Sequence, residues 1–190
     1  MGEYELRIAE PSDAEALSGL IRRAMKTYRA ESGITSDVLE SLHESVETVA
    51  DRIRHNRCLC FFDGDKPVAT ITLGKVDNPM RYSFSATTEA FLSRYTACAY
   101  ISRFAVADEL RGTGLGVKLM EAALSENISV RTGLAILHTA VANVRMNEFY
   151  ANRGFKLLDS EESRGYERGL YVNILRERLV DKITGVSPFL

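Results

Sequence analysis

The sequence predicts an α/β fold of the α+β kind, a central sheet flanked by helices, and three observations predict it. Two stretches of helical periodicity fill the first third of the chain, a β-hairpin pattern follows, and strand and helix patterns then alternate to the end. With 190 residues, 45% hydrophobic and 26% charged, the chain has the size and apolar content of one globular domain, expected to span 1–190.

The first element is a short strand, because "YELRI" puts Tyr4, Leu6 and Ile8 on one side. Ser12 and Glu15 stand at capping-box spacing before a helix with Leu17, Leu20, Ile21, Ala24, Met25 and Tyr28 on one stripe, and Gly33 ends it. Leu39, Leu42, Val46, Val49 and Ile53 recur at steps of three and four, which predicts a second helix over 36–54 with a core-facing stripe. "CLCFFDGDKPVATITLG" reads as a hairpin turning at Asp63-Gly64. From Lys75 to Ala97 the pattern turns polar and mixed, with a short helix expected from Glu89 to Tyr95; irregular segments of this length carry binding function. "AYISRFAV" is a strand, "VKLMEAALSEN" a helix and "LAILHTAVA" a strand. "NVRMNEFYANRG" is a helix ended by Gly154, and "FKLLDS" and "YERGLYVNIL" are closing strands.

Composition excludes several classes of function. A net charge of −2 without a basic block disfavours nucleic acid and anionic membrane as partners. No apolar run reaches membrane-spanning length and "MGEYELRIAE" lacks the features of a signal peptide, so a cytoplasmic protein is expected. Cys58, Cys60 and Cys98 cannot all pair, and His43, His55 and His138 stand in no zinc spacing with them. Buried reduced thiols and no metal are therefore expected, with Cys58 and Cys60 on one face of a strand.

"ELRGTGLGVKLM" is the informative stretch. Glycine is a poor helix former, yet Gly112, Gly114 and Gly116 open a helix after a strand. There the first N–H groups lack intrahelical partners and the dipole favours an anion, so glycines let a phosphate approach the backbone. Lys118 lacks P-loop spacing, and Val117 stands where a dinucleotide fingerprint needs its third glycine. Taken alone, the stretch reads either as a pyrophosphate cradle of another kind or as a glycine turn without a ligand.

"RGTGLG" (Arg111–Gly116) resembles the R/Q-x-x-G-x-G/A loop of the Gcn5-related N-acetyltransferase (GNAT) superfamily, and "NVRMNEFYANRGF" is similar to its N-x-x-A-x-x-F/L-Y-x-x-x-G-F segment, with Met146 where alanine is usual. The resemblance extends over nearly all of the chain. It implies a mixed, mostly antiparallel sheet splayed at the cofactor strand, acetyl-CoA as cosubstrate, and transfer of its acetyl group by direct attack of a primary amine. Alternatives are longer acyl donors or a non-catalytic acyl-CoA-binding module. The acceptor would be a small-molecule or protein amine, and a homodimer is an assembly the family allows.

By the same resemblance, backbone around Phe104, Ala105 and Val106 would pair with the pantetheine arm as an added strand would. The amides of Arg111, Gly112, Thr113, Gly114, Leu115, Gly116 and Val117 would hold the pyrophosphate. Asn143 would bond the cofactor or cap its helix. Tyr150 would protonate the leaving thiolate. His138 takes the position of the family's acidic base, with Glu89 or water as competitors. The 75–97 segment would line the acceptor side, since the cofactor motifs leave it no core role.

Overall fold

The computed structural model describes residues 4–35 and 37–175, so expectations that fall on 1–3, Ser36 and 176–190 lie outside the described residues. Its strands are β1 (Glu5–Ile8), β2 (Arg57–Asp63), β3 (Lys66–Val76), β4 (Cys98–Val106), β5 (Leu134–Ala140), β6 (Lys156–Glu161) and β7 (Arg168–Ile174). They form one sheet in the order β1-β2-β3-β4-β5-β7-β6. Only β4 and β5 run parallel; every other neighbouring pair is antiparallel, so the mixed, mostly antiparallel sheet is found as expected.

The helices are α1 (Ala14–Glu31), α2 (Val46–His55), α3 (Ala86–Leu92), α4 (Leu115–Ser125), α5 (Asn127–Thr132) and α6 (Val144–Ala151). Several starts differ from the sequence reading, each for a local reason. At α1 the Glu10 N–H donates to Asp13 Oδ2 at 2.8 Å, so Asp13 rather than the Ser12–Glu15 pair organises the entry. At α2 the Ser45 hydroxyl accepts from the Thr48 N–H at 3.2 Å, and the helix begins ten residues later than periodicity suggested. Leu39 and Leu42 keep their helical spacing but belong to a loop with one 3₁₀ turn, Glu40–Leu42. At α3 a capping box between Ser85 and Thr88 brings the start forward to Ala86.

Strand β1 is an edge strand, and the apolar side read from its sequence faces out: Leu6 and Ile8 are 42% and 41% exposed. Between them Arg7 stacks over the Phe62 ring and pairs with Asp13 at 2.8 Å. The inner strands β2 and β3 are almost wholly buried, which fits their runs of Cys, Leu, Phe, Val and Ile. Cys58 and Cys60 meet Thr72 and Thr70 from one face of β2. All three cysteines are buried free thiols, and burial pushes Cys60 and Cys98 up to about 12.

The 75–97 segment has a core role after all. Leu92 is fully buried with Cys98, Leu134, Ile136 and Leu170, and Tyr82, Phe84, Phe91 and Tyr95 pack around them. Tyr82 stacks on Tyr100 at 4.8 Å between centroids, 7° from parallel.

Two features of β4 open the sheet at its centre. Its parallel pairing with β5 is confined to Ala99–Ala135 and Tyr100–Ile136, after which the two strands splay. Its register with β3 slips between Thr70 and Thr72, and inside that bulge Arg103 takes φ +52°, rare for a residue with a Cβ.

Candidate active site

The splay opens a cleft of about 640 Å³ whose walls come from α1, the 38–41 loop, β4, the glycine turn, β5, α6 and the β6–β7 loop. Past Tyr100, β4 has β3 on one side and no strand on the other, and β5 is paired only to β7. Backbone N–H and C=O groups on these two inner edges are thus available to an extended amide-bearing ligand. Phe104, Ala105 and Val106 line the cleft on the β4 side.

One end of the cleft is the glycine turn. Gly112 and Gly114 have φ +79° and +88°, where a residue with a Cβ is strained, and a Cβ at either would meet nothing within 4 Å. Gly116 has another reason: a Cβ there would lie 3.2 Å from Phe104 Cζ and Val106 Cγ2, so its lack of a side chain lets α4 sit against β4. Gly114 caps α4, and the first helical bond runs from Lys118 N–H to Gly114 C=O at 3.1 Å, which leaves the amides of Leu115, Gly116 and Val117 without intrahelical acceptors.

Arg111, Gly112, Gly114, Gly116 and Val117 line the cleft. Arg111 is held by Asp108 at 2.7 Å. Thr113 and Leu115 do not line it. Thr113 spends its N–H and hydroxyl on the Leu110 carbonyl, and the Leu115 side chain is buried.

Tyr150 lies in the cleft wall, 7% exposed, its ring edge-on to Phe149 and Phe155. Burial raises its pKa further above the ordinary phenol value, with Tyr28 adding to the rise, so the group is a protonated donor throughout the working range. Phe149 stacks on Phe104 at 5.2 Å, tying α6 to β4 across the cleft. Met146 also lines the space.

Asn143 stands apart from the cleft. Its side chain is 1% exposed, Oδ1 accepts from the Met146 N–H at 3.1 Å, and Nδ2 donates to Ser32 Oγ at 2.9 Å. Of the two expected roles the structure gives it the cap, which also fastens α6 to the end of α1.

The far end of the cleft holds His138. Tyr100 Oη lies 3.1 Å from His138 Nδ1, and Nε2 is buried with no partner. The Tyr100 hydroxyl and Nδ1 thus share one hydrogen bond, in the direction set by the ring tautomer. Desolvation, joined by the charges of Arg168 and Arg164, lowers the His138 pKa to about 3. A ring so weakly basic and so bonded is poorly suited to take a proton from an ammonium, which weighs against the expected histidine base. Glu89 is exposed on α3 and lines neither this cleft nor a second cavity of about 350 Å³ formed by Arg81–Phe84, His138, Glu161, Ser163 and Arg168.

Sequence reasoning missed the other residues of this end. Tyr28, read as core, lines the cleft; its hydroxyl lies 3.1 Å from Thr139 Oγ1 and accepts from the Ala140 N–H at 2.6 Å. Val38, Leu39, Glu40 and Ser41 line it because the second helix starts late. The Ser45–Thr48 spacing was the available signal for that. Arg164, Tyr166 and Arg168 come from and after the β6–β7 turn, and no local pattern marked them.

Among the described residues no group of three or more His, Cys, Asp or Glu is placed to hold a metal, and no helix is long and apolar enough to cross a membrane.

Comparison with known proteins gives a consistent picture. The model of the acetyltransferase (GNAT) family matches residues 20–155. Among solved structures, the PaiA N-acetyltransferase of Thermoplasma acidophilum in complex with coenzyme A is 20% identical, with TM-score 0.64, over 90% of this chain and 99% of that one. A GNAT-family acetyltransferase of Streptococcus agalactiae is 14% identical, with TM-score 0.67, over 90% and 95%. A chimera built on the Vibrio cholerae spermidine N-acetyltransferase SpeG is 15% identical, with TM-score 0.64, over 93% and 98%. Among curated proteins no match is found.

Proposed function

Since the chain belongs to the GNAT acetyltransferase family, we propose that it is an N-acetyltransferase that moves the acetyl group of acetyl-CoA to a primary amine by direct attack. The observation that carries this reading is the continuity of one cleft. It joins the glycine turn, past two unpaired strand edges, to the polar end around Tyr28, His138 and Arg164.

The residues present fit acetyl-CoA. The open space over Gly112 and Gly114, beside the unspent amides of Leu115–Val117, suits a pyrophosphate. The free edge of Phe104–Val106 suits the pantetheine amides. When bound, acetyl-CoA supplies an acyl group activated as a thioester. The amine nitrogen then forms the new C–N bond while the C–S bond breaks; sulfur gains a proton and the nitrogen loses one.

Tyr150 is the donor to sulfur in this reading, because its phenol is protonated and it lines the cleft next to Phe104 and Phe149. With His138 held neutral and weakly basic, and Glu89 outside both cavities, the amine's proton passes to water in the open cleft. A cytoplasmic setting belongs to the same reading.

A thiol-release screen of primary amines with acetyl-CoA and longer acyl-CoAs tests it. Turnover with acetyl-CoA and at least one amine, with mass spectrometry showing the N-acetyl product, is expected. Turnover only with long acyl donors, or acyl-CoA binding without transfer, would replace it with the corresponding alternative.

A further inference from the structure

Resting on that reading, we propose that the acceptor is a primary amine that also carries a carboxylate, of the α-amino acid class with an apolar or aromatic side chain, seated by Arg164 and Arg168 beside His138.

The polar end of the cleft is rich in arginine donors. Arg103, Arg164 and Arg168 line it. Three nearby carboxylates pair with arginines, Glu31 with Arg145 at 3.5 Å, Glu40 with Arg164 at 3.5 Å and Glu161 with Arg168 at 2.8 Å, and Glu148 also lines the cleft. Glu44, behind Arg103, is shared between two arginines, Arg52 and Arg103, so that cluster carries a surplus positive charge.

The centre of the site points the same way. The buried Nε2 of His138 has no hydrogen-bond partner among the described residues, in a residue that forms part of the wall of both the main cleft and the second cavity. Arg168 also lines both and spends Nε and Nη2 on a single Glu161 oxygen. Arg164 meets Glu40 through one long contact at the mouth, where both are exposed, so that pair can open at little cost. An arginine presents a planar fork suited to a carboxylate. Around these donors stand Tyr28, Leu39, Tyr100 and Tyr166, a surface for an apolar or aromatic side chain.

The test uses matched acceptors that differ by the carboxylate: phenylalanine with phenethylamine, leucine with isopentylamine, and spermidine as the opposite charge class. The amino acid of each pair is expected to have a kcat/KM at least about tenfold above its decarboxylated partner. Arg164→Gln and Arg168→Lys should each erode that ratio through the KM of the amino acid. A readout independent of turnover is the pair of His138 ring 15N resonances in cofactor-free protein, which should move on titration with phenylalanine and not with phenethylamine. Acetyl-CoA turnover with no preference for the carboxylate, a preference for spermidine, or acetyl-CoA binding with no turnover of either amino acid overturns this assignment. Failure to bind acetyl-CoA in calorimetry would instead overturn the acetyltransferase reading on which it rests.

Discussion

Glu44 accepts hydrogen bonds from Arg103 Nε, at 3.1 and 3.2 Å, and from Arg103 Nη2, and Arg103 is the one non-glycine residue with positive φ among the described residues. Arg52 donates to the same carboxylate. The left-handed backbone at Arg103 costs about 1–2 kcal/mol. A hydrogen bond to a charged group contributes about 1.5–3 kcal/mol, so the clamp outweighs the strain. It ties the loop before α2 to the bulge that frees the β4 edge.

Glu44→Gln keeps the shape and removes the charge, stranding two largely buried guanidinium groups. A loss of about 3 kcal/mol is expected in urea unfolding, together with weaker acetyl-CoA binding as the bulge relaxes. Unchanged stability would reduce the clamp to a surface contact.

The pH dependence of stability rests on two groups. Burial works to raise the Glu44 carboxyl, but the bonds and charges of Arg103 and Arg52 prevail and hold it below the ordinary 4.5; its stabilisation is present above that value and is lost as pH falls through the folded value. His138 is lowered from 6.5 to about 3, so the unfolded chain takes up a proton that the folded ring refuses, and stability falls as pH drops from 6.5 towards 3. Around that ring stand Tyr82, Tyr100, Arg164, Arg168 and Glu161. Chemical denaturation across pH should show a decline beginning near 6.5. His138→Gln should flatten the upper part of that decline, and Glu44→Gln the part below 4.5; a parent whose stability is level from 7 to 5 contradicts the His138 environment.

Asn143→Ala should cost about 1 kcal/mol through loss of the α6 cap and leave acetyl-CoA affinity nearly unchanged. Thermal unfolding alongside calorimetry separates the two; a large loss of affinity at unchanged stability would return Asn143 to the cofactor site.

Much of the fold and of the cofactor end was legible in the sequence where the chemistry is local. The glycine turn could be read because positive φ and a helix start with a glycine N-cap leave a mark within six residues. The hairpin and the β4–α4 junction could be read for similar reasons. The α2 start was misread because Leu39 and Leu42 fit helical steps, although Ser45 breaks the helix before Val46. Tyr28 and Thr139 are 111 residues apart, and Arg103 and Glu44 are 59 apart. No periodicity reports such pairs. The weak basicity of His138 comes first from burial and then from arginines beyond β6, neither of which its local sequence reveals.

Tyr150→Phe keeps the ring contacts with Phe149 and Phe155 and removes the donor. The fold and acetyl-CoA binding should survive, while kcat falls by about 10²-fold if general acid catalysis is fully used. Because burial has raised the phenol pKa, the parent should show no alkaline loss of kcat from Tyr150 below pH 10. An unchanged kcat in the variant would leave Tyr150 as packing beside the cleft.

A calorimetric titration of acetyl-CoA into the parent and into Gly114→Val addresses the cleft itself. Gly114 opens onto empty cleft, so a valine there projects into the ligand's space. The left-handed backbone adds a strain of about 1–2 kcal/mol that thermal unfolding will register separately. One acetyl-CoA per parent chain is expected, with a loss of affinity of at least about tenfold, 1.4 kcal/mol, in a Gly114→Val protein that is still folded. A parent that does not bind, or a folded Gly114→Val that binds as tightly as the parent, would contradict the assignment of this cleft to acetyl-CoA.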